Sequence, residues 1–131
     1  MSKLQLWWIG LLIIAFFVLS SEFVIIFNSY IFSRLGLNRN IILSLLWLLP
    51  AISSFIAAFF SSKNSLLLGL SYIPILSILG PIIHFFSGQL GATVDFGGIS
   101  GLRITFPIYF VLSVITVGIG SLTGISLKRK K

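Results

Sequence analysis

Two ionisable residues, Glu22 and His84, stand within long apolar stretches of the sequence and are the first candidates for chemistry. Glu22 interrupts a stretch of 30 residues between Lys3 and Arg34, and His84 is the single histidine of the chain. A carboxylate inside a membrane helix costs roughly 2.5–3.5 kcal/mol on insertion scales, so such a residue indicates a function by default. Because histidine titrates near neutral pH, a His–carboxylate pair suits proton relay or cation binding.

The spacing of these residues from lysines predicts that they share one depth in a membrane. Three polar residues lie 19 to 21 positions from a lysine: Glu22 after Lys3, His84 after Lys63, and Tyr109 before Lys128. At 1.5 Å per helical residue this separation is about 29 Å, in the outer half of a membrane whose inner surface carries the lysines. We therefore predict a polar, proton-relay cluster of Glu22, His84 and Tyr109.

Further polar residues, Asn28, Gln89 and Asp95, are expected to lie above that cluster. An alternative interpretation is that Glu22 reaches the outer headgroups or water and that His84 lies at a helix end. Tilt of a helix shifts depth by several ångströms, so spacing alone leaves both interpretations open.

Other kinds of chemistry lack the residues that they need. The chain has no cysteine, one histidine and no HxxxH or ExxH spacing, which argues against the usual metal ligand sets. It has no GxxxxGK[ST] or GxGxxG motif for a nucleotide phosphate, and one histidine among many serines defines no catalytic triad. We therefore expect no enzymatic activity, no cofactor, no metal and no nucleic-acid partner.

The composition is that of an integral membrane protein. Of the 131 residues, 57% are hydrophobic and 8% are charged, whereas soluble domains average about 25% charged residues. The chain is also too hydrophobic for a disordered protein. Its length predicts one transmembrane domain over residues 1–131.

Apolar stretches between basic residues predict four transmembrane helices, because about 20 apolar residues cross a hydrocarbon core about 30 Å thick. The expected bounds are roughly 6–30, 41–61, 66–86 and 104–125, followed by a basic tail at 128–131. The predicted fold class is therefore all-α, a bundle of four transmembrane helices. The connections 34–40 and 61–65 are short, which makes consecutive helices antiparallel neighbours.

Glycines and prolines indicate where the regular helices are interrupted. The connection 87–103 is longer, contains five glycines and is expected outside the cell, as a small hairpin around Gly97-Gly98 or as a re-entrant loop. Proline bends a helix, so Pro50 is expected to affect the second helix, and Pro74 and Pro81 the third. Pro107 is expected in the first turn of the fourth helix, where proline is tolerated.

Small residues at four-residue spacing predict where helices approach each other closely. Thr116, Gly120 and Gly124 form such a helix-packing face on the fourth helix. The second helix has two adjacent faces of this kind, 53–57–61 and 54–58–62. Packing within one bundle is the ordinary use of these faces, and an oligomer or a larger complex is the alternative.

Two functions from different classes fit the sequence. The first is a non-catalytic subunit or assembly factor of a membrane complex, which the scarcity of intramembrane polar groups favours. The alternative is a small oligomeric transporter or channel, proton-coupled through Glu22. The expected partners are the lipid bilayer, other membrane subunits or further copies of the chain as a homo-oligomer, and anionic lipid headgroups at Lys128, Arg129, Lys130 and Lys131.

The distribution of basic residues predicts that both termini are cytoplasmic in the cell membrane. The side that carries the termini has six Lys and Arg residues, and the other side has three. We expect a cysteine introduced at Ser100 to react with a membrane-impermeant thiol reagent in intact cells, and one introduced at Ser62 to be protected. Labelling at Ser62 with protection at Ser100 would invert the topology.

Overall fold

Apolar helices make up nearly all of the chain that the computed structural model describes, which is residues 2–27, 34–61, 65–89 and 98–130. The helices are α1 Lys3–Phe27, α2 Arg39–Leu46, α3 Leu48–Phe60, α4 Ser65–Leu70, α5 Tyr72–Gln89 and α6 Gly98–Arg129. Within those ranges no residue is in a strand. Four spans are long and apolar enough to cross a membrane, namely α1, α2 with α3, α4 with α5, and α6. The prediction of an all-helical chain with four such spans is confirmed.

Two of the spans are broken at single residues, and each break has a proline as its cause. Trp47 separates α2 from α3 three residues before Pro50, and Ser71 separates α4 from α5 three residues before Pro74. Proline has no N–H to donate to the carbonyl four residues earlier, and its ring clashes with that carbonyl. In both spans that carbonyl belongs to the last residue of the preceding helix, Leu46 or Leu70. Each helix therefore ends at the residue whose carbonyl oxygen receives no hydrogen bond from the proline.

The fourth span begins earlier than its apolar pattern predicts. The helix α6 starts at Gly98, so Pro107 lies in its third turn, and the prediction of a first-turn proline is wrong. Once a helix is nucleated, each added residue gains a hydrogen bond at little further cost, so the glycines at its start do not stop it. The predicted loop 87–103 is shorter for the same reason, because 87–89 and 98–103 are helical; residues 90–97, with the expected hairpin turn, lie outside the described residues.

The four spans pack as a bundle in which α1 and α6 each contact both α3 and α5. The buried apolar core is formed by Ile14, Phe17, Val18, Ala57, Tyr72, Leu76 and Val117. In the most apolar part of each span, 28% to 39% of the residues are buried within the chain. The remaining surface is largely apolar and faces outward, as it does in a protein whose solvent is lipid.

The helices α3 and α6 approach closely at two glycines. A Cβ atom placed on Gly120 would overlap the Ala51 carbonyl oxygen and the Ser54 hydroxyl. One placed on Gly124 would lie 2.9 Å from the Phe55 carbonyl oxygen. Both glycines therefore bring the α6 backbone against α3 of the same chain, where van der Waals contact holds membrane helices together.

The other described residues of the predicted small-residue faces are buried or half-buried within the bundle, and Ser62 lies outside the described residues. Thr116 is half-buried one turn before Gly120, and its hydroxyl donates to the Leu112 carbonyl oxygen of its own helix at 2.8 Å. On α3 the small side chains that are buried are Ser53, Ser54, Ala57 and Ala58. The described buried residues of these faces therefore pack within the bundle, which is the ordinary use of such faces.

Gly120 and Gly118 provide a matched test of this packing, because a Cβ on Gly118 would have no atom within 4 Å. We expect Gly120→Leu to destabilise the protein in detergent by about 1–3 kcal/mol, because overpacking forces the two backbones apart. Gly118→Leu makes the same chemical change on an open side of α6 and is expected to be nearly neutral. Thermal unfolding of both variants measures the difference, and equal melting temperatures would contradict a close α3–α6 contact at Gly120.

Candidate functional site

Glu22 of α1 and His84 of α5 meet inside the bundle and are called the carboxylate–imidazole pair below. The Nδ1 atom of His84 lies 2.9 Å from the Oε1 atom of Glu22. The exposed fractions of the two residues are 4% for Glu22 and 6% for His84. The carboxylate therefore faces neither lipid headgroups nor bulk water in this arrangement, and its contact is with an ionisable group on another span.

The hydrogen bond between Glu22 and His84 can persist when the pair gains or loses a proton. With one proton fewer, a neutral imidazole donates its Nδ1–H to the carboxylate. With one proton more, an imidazolium donates to the carboxylate, or a carboxylic acid donates to Nδ1. A hydrogen bond joins the two residues in each of these states, and it is strongest when both groups are charged. The pair can therefore load and release a proton while α1 and α5 stay in contact.

A second set of hydrogen bonds ties α1 to the third span about 22 Å away along α1. The Tyr72 hydroxyl donates to the Trp7 carbonyl oxygen at 3.0 Å, and Trp7 Nε1 donates to Ser71 Oγ at 3.1 Å. Gly10 makes room for this contact, because a Cβ there would overlap the Tyr72 ring and hydroxyl. The two spans run in parallel and contact each other at two levels, one at the carboxylate–imidazole pair and one at Trp7 and Tyr72. Together these contacts fix the register of the two spans.

The second carboxylate oxygen of the pair differs from the buried hydroxyls on the same two spans. Within the described ranges Glu22 Oε2 has no hydrogen-bond partner. By contrast, the hydroxyls of Ser21 and Ser77 donate to carbonyl oxygens four residues earlier on their own helices. Those hydroxyls are satisfied locally, whereas the carboxylate retains an acceptor for a further donor.

Three aromatic side chains, Phe17, Trp47 and Tyr109, form a layer next to the pair, called the aromatic layer below. The ring centroids of Phe17 and Trp47 are 4.7 Å apart, and those of Trp47 and Tyr109 are 5.5 Å apart. The Tyr109 ring lies against Gly80, where a Cβ would overlap it. Phe17 and Gly80 precede the two members of the pair by five and four residues, so the layer lies about 6–8 Å away, toward the N-terminal end of α1.

The predicted cluster residues are therefore placed as follows. Glu22 and His84 are in contact, and Tyr109 joins the aromatic layer one turn from His84. Asn28 and Asp95 lie outside the described residues, and of Gln89 only the backbone, which ends α5, is described. Among the described side chains no group of three or more His, Cys, Asp or Glu is placed to hold a metal ion.

Phe17 and Trp47 are site residues that the sequence did not single out. An aromatic residue in an apolar span gives no signal by itself, because such residues are common at every position of these helices. Trp47 had one usable signal, since it stands three residues before Pro50, where the helix is expected to break. Gly80 had another, since a glycine next to a proline leaves room for a large ring from a neighbouring helix.

A double-mutant cycle tests whether the pair acts as a unit. We expect Glu22→Gln and His84→Ala to be coupled by about 0.5–3 kcal/mol in the free energy of unfolding, because each removes the other's partner. The sign should be such that His84→Ala is less damaging when Glu22→Gln is already present. Thermal unfolding in detergent at constant lipid content provides the measurement.

The cycle has an internal control on the same two spans. Tyr72→Phe removes the hydrogen bond to the Trp7 carbonyl, far from Glu22 along α1. Glu22→Gln and Tyr72→Phe should add to within about 0.5 kcal/mol, as expected for distant sites. Additivity of Glu22→Gln with His84→Ala as well would mean that the two ionisable residues act independently.

Comparison of the chain with protein-family models, with curated proteins and with solved structures finds no match. The chemistry of the carboxylate–imidazole pair and its surroundings is therefore the basis for the function proposed next.

Proposed function

We propose that this chain is a small multi-pass protein of the cell membrane that moves protons through Glu22 and His84, as a proton-coupled transporter or channel. It carries out no covalent catalysis, and both of its termini lie in the cytoplasm. The observation that supports the proposal is the 2.9 Å contact between a buried carboxylate and a buried imidazole on different spans. Histidine is the side chain whose ordinary titration falls in the physiological range.

A purely structural role is a poor explanation for this pair. Two ionisable groups lose their hydration when they are buried, and well-packed apolar residues of similar volume are often as stabilising. At the other end of the same two spans, the Tyr72 hydroxyl and the Trp7 carbonyl join α1 to α5 with neutral groups. Neutral groups are therefore sufficient to join these two spans. The use of two ionisable groups at Glu22 and His84 favours a proton-binding role for that pair.

The surroundings of the pair favour access from one side. The aromatic layer separates the pair from most of the length of α1. We infer that a proton enters from the side of the pair that faces away from the aromatic layer, and that the aromatic layer closes the path to the cytoplasm.

The break at Trp47 offers a way to open that path. Trp47 belongs to the aromatic layer, and it is also the non-helical residue between α2 and α3. Hinges in membrane transporters lie at such interruptions, where a few residues absorb the change in backbone angles. A rotation of α2 about Trp47 moves this ring away from Phe17 and Tyr109, which connects the pair to the opposite side.

Proton exchange at the pair can be measured without knowing a co-transported substrate. Purified protein in proteoliposomes on a solid-supported membrane should give a transient current after a step in external pH. We expect Glu22→Gln to abolish most of this current, because an amide cannot take up the proton. The matched control is Asp95→Asn, which makes the same change at the only other carboxylate side chain of the chain and should preserve the current. Equal currents from the wild type and Glu22→Gln would contradict the proposal.

A second candidate function is that of a non-catalytic subunit or assembly factor. It is supported by the outward surface, since no more than 39% of the residues in the most apolar part of any span are buried within the chain. Other membrane subunits, or further copies of this chain, would cover that surface. The mass of the particle extracted in mild detergent discriminates between these outcomes: additional polypeptides support this candidate, a homo-oligomer fits the transporter, and a single chain argues against a subunit role.

A further inference from the structure

A groove lies between α4 and the last turns of α6, at the opposite end of the bundle from the carboxylate–imidazole pair. It has a volume of about 560 Å³. Its lining consists of Leu66 from α4 and of Leu122, Ile125, Ser126, Arg129 and Lys130 from the end of the fourth span. Positions 122, 125, 126 and 129 repeat at three- and four-residue intervals, so they lie on one face of α6.

A close contact between α4 and α6 lies beside the groove. Gly69 of α4 lies directly against Ser121 of α6, because a Cβ on Gly69 would overlap the Ser121 hydroxyl. Leu66 is one turn before Gly69, and Leu122 follows Ser121, so the groove opens immediately beside this close contact. Leu66 and Leu122 are 38% and 62% exposed, which leaves apolar surface available along the groove.

Within the described ranges no carboxylate side chain lies near the positive charges at the mouth of the groove. Arg129 and Lys130 are exposed, and Glu22, the only carboxylate side chain within the described ranges, is engaged with His84. The groove is therefore apolar along its length and positive at its mouth.

We propose that this groove binds one phospholipid with an anionic headgroup. The phosphate lies between the Arg129 guanidinium and the Lys130 ammonium, where the planar fork of arginine matches phosphate oxygens. Ser126 donates its hydroxyl to the same phosphate, and one acyl chain follows Leu66, Leu122 and Ile125. The proposal is independent of proton transport, and it narrows the general attraction of the basic tail for anionic lipids to two of its cations and one groove.

Native mass spectrometry of the full chain in mild detergent tests the site. Dioleoylphosphatidylglycerol should bind as one retained lipid per chain, and dioleoylphosphatidylcholine should bind more weakly. The double variant Arg129→Gln/Lys130→Gln should weaken phosphatidylglycerol binding about 25-fold, at about fivefold for each charge near the surface. The control Lys3→Gln/Arg39→Gln removes two positive charges outside both the groove lining and the basic tail, and should change binding little.

A further variant tests the apolar half of the site with the cations intact. Leu122→Asn should also release the lipid more readily, while lipid-free thermal unfolding should show that each variant remains folded. The proposal is wrong if the two double variants weaken binding equally, because the attraction is then that of net charge alone. Equal binding of the two lipids, or unchanged binding by Leu122→Asn, would overturn it as well.

Discussion

A carboxylate inside an apolar bundle is the constraint on which the arrangement of this protein depends. Water cannot solvate Glu22 at 4% exposure, so the free energy of its burial is set by the group that it meets. The structure supplies His84 from another span at hydrogen-bond distance. This requirement fixes the register of α1 against α5, because a shift of one residue along either helix would separate the two groups.

Close packing elsewhere in the bundle makes that register possible. Lipid is as apolar as leucine, so membrane helices associate through contact and hydrogen bonds and not through exclusion from water. Glycines allow close contact at three places in the bundle: Gly10 contacts Tyr72, Gly80 contacts Tyr109, and Gly120 contacts the α3 backbone. Five buried serines donate to carbonyl oxygens of their own helices and so need no partner from another span: Ser21, Ser53, Ser54, Ser77 and Ser113.

Pro50 interrupts the second span next to the candidate site. Pro50 removes one hydrogen-bond donor, α2 therefore ends at Leu46, and Trp47 becomes the non-helical residue between two helices. That residue is also the centre of the aromatic layer, between Phe17 and Tyr109. The missing amide hydrogen of Pro50 thus places the interruption of the second span at the side chain that separates the carboxylate–imidazole pair from most of the length of α1.

Much of this architecture can be predicted from the sequence, because a helix that crosses a membrane needs about 20 consecutive apolar residues. The four spans follow from apolar length, and the shared level of Glu22 and His84 follows from their similar distances of 19 and 21 residues from lysines. The aromatic layer does not follow, because helices that are apolar on all faces give no periodic signal of which side turns inward. The start of α6 at Gly98 does not follow from the sequence either, because the glycines there have a low helix propensity and predict a loop.

The most direct test of the account exploits the fact that the chain has one histidine. Labelling histidine with ¹⁵N gives an imidazole signal from His84 alone, and its chemical shifts report the protonation and hydrogen bonding of Nδ1 and Nε2 separately. The account predicts that Glu22→Gln shifts the Nδ1 resonance and the midpoint of its titration, whereas Asp95→Asn leaves both unchanged. An Nδ1 resonance that titrates identically in the wild type and in Glu22→Gln would contradict the contact on which the proposed function rests.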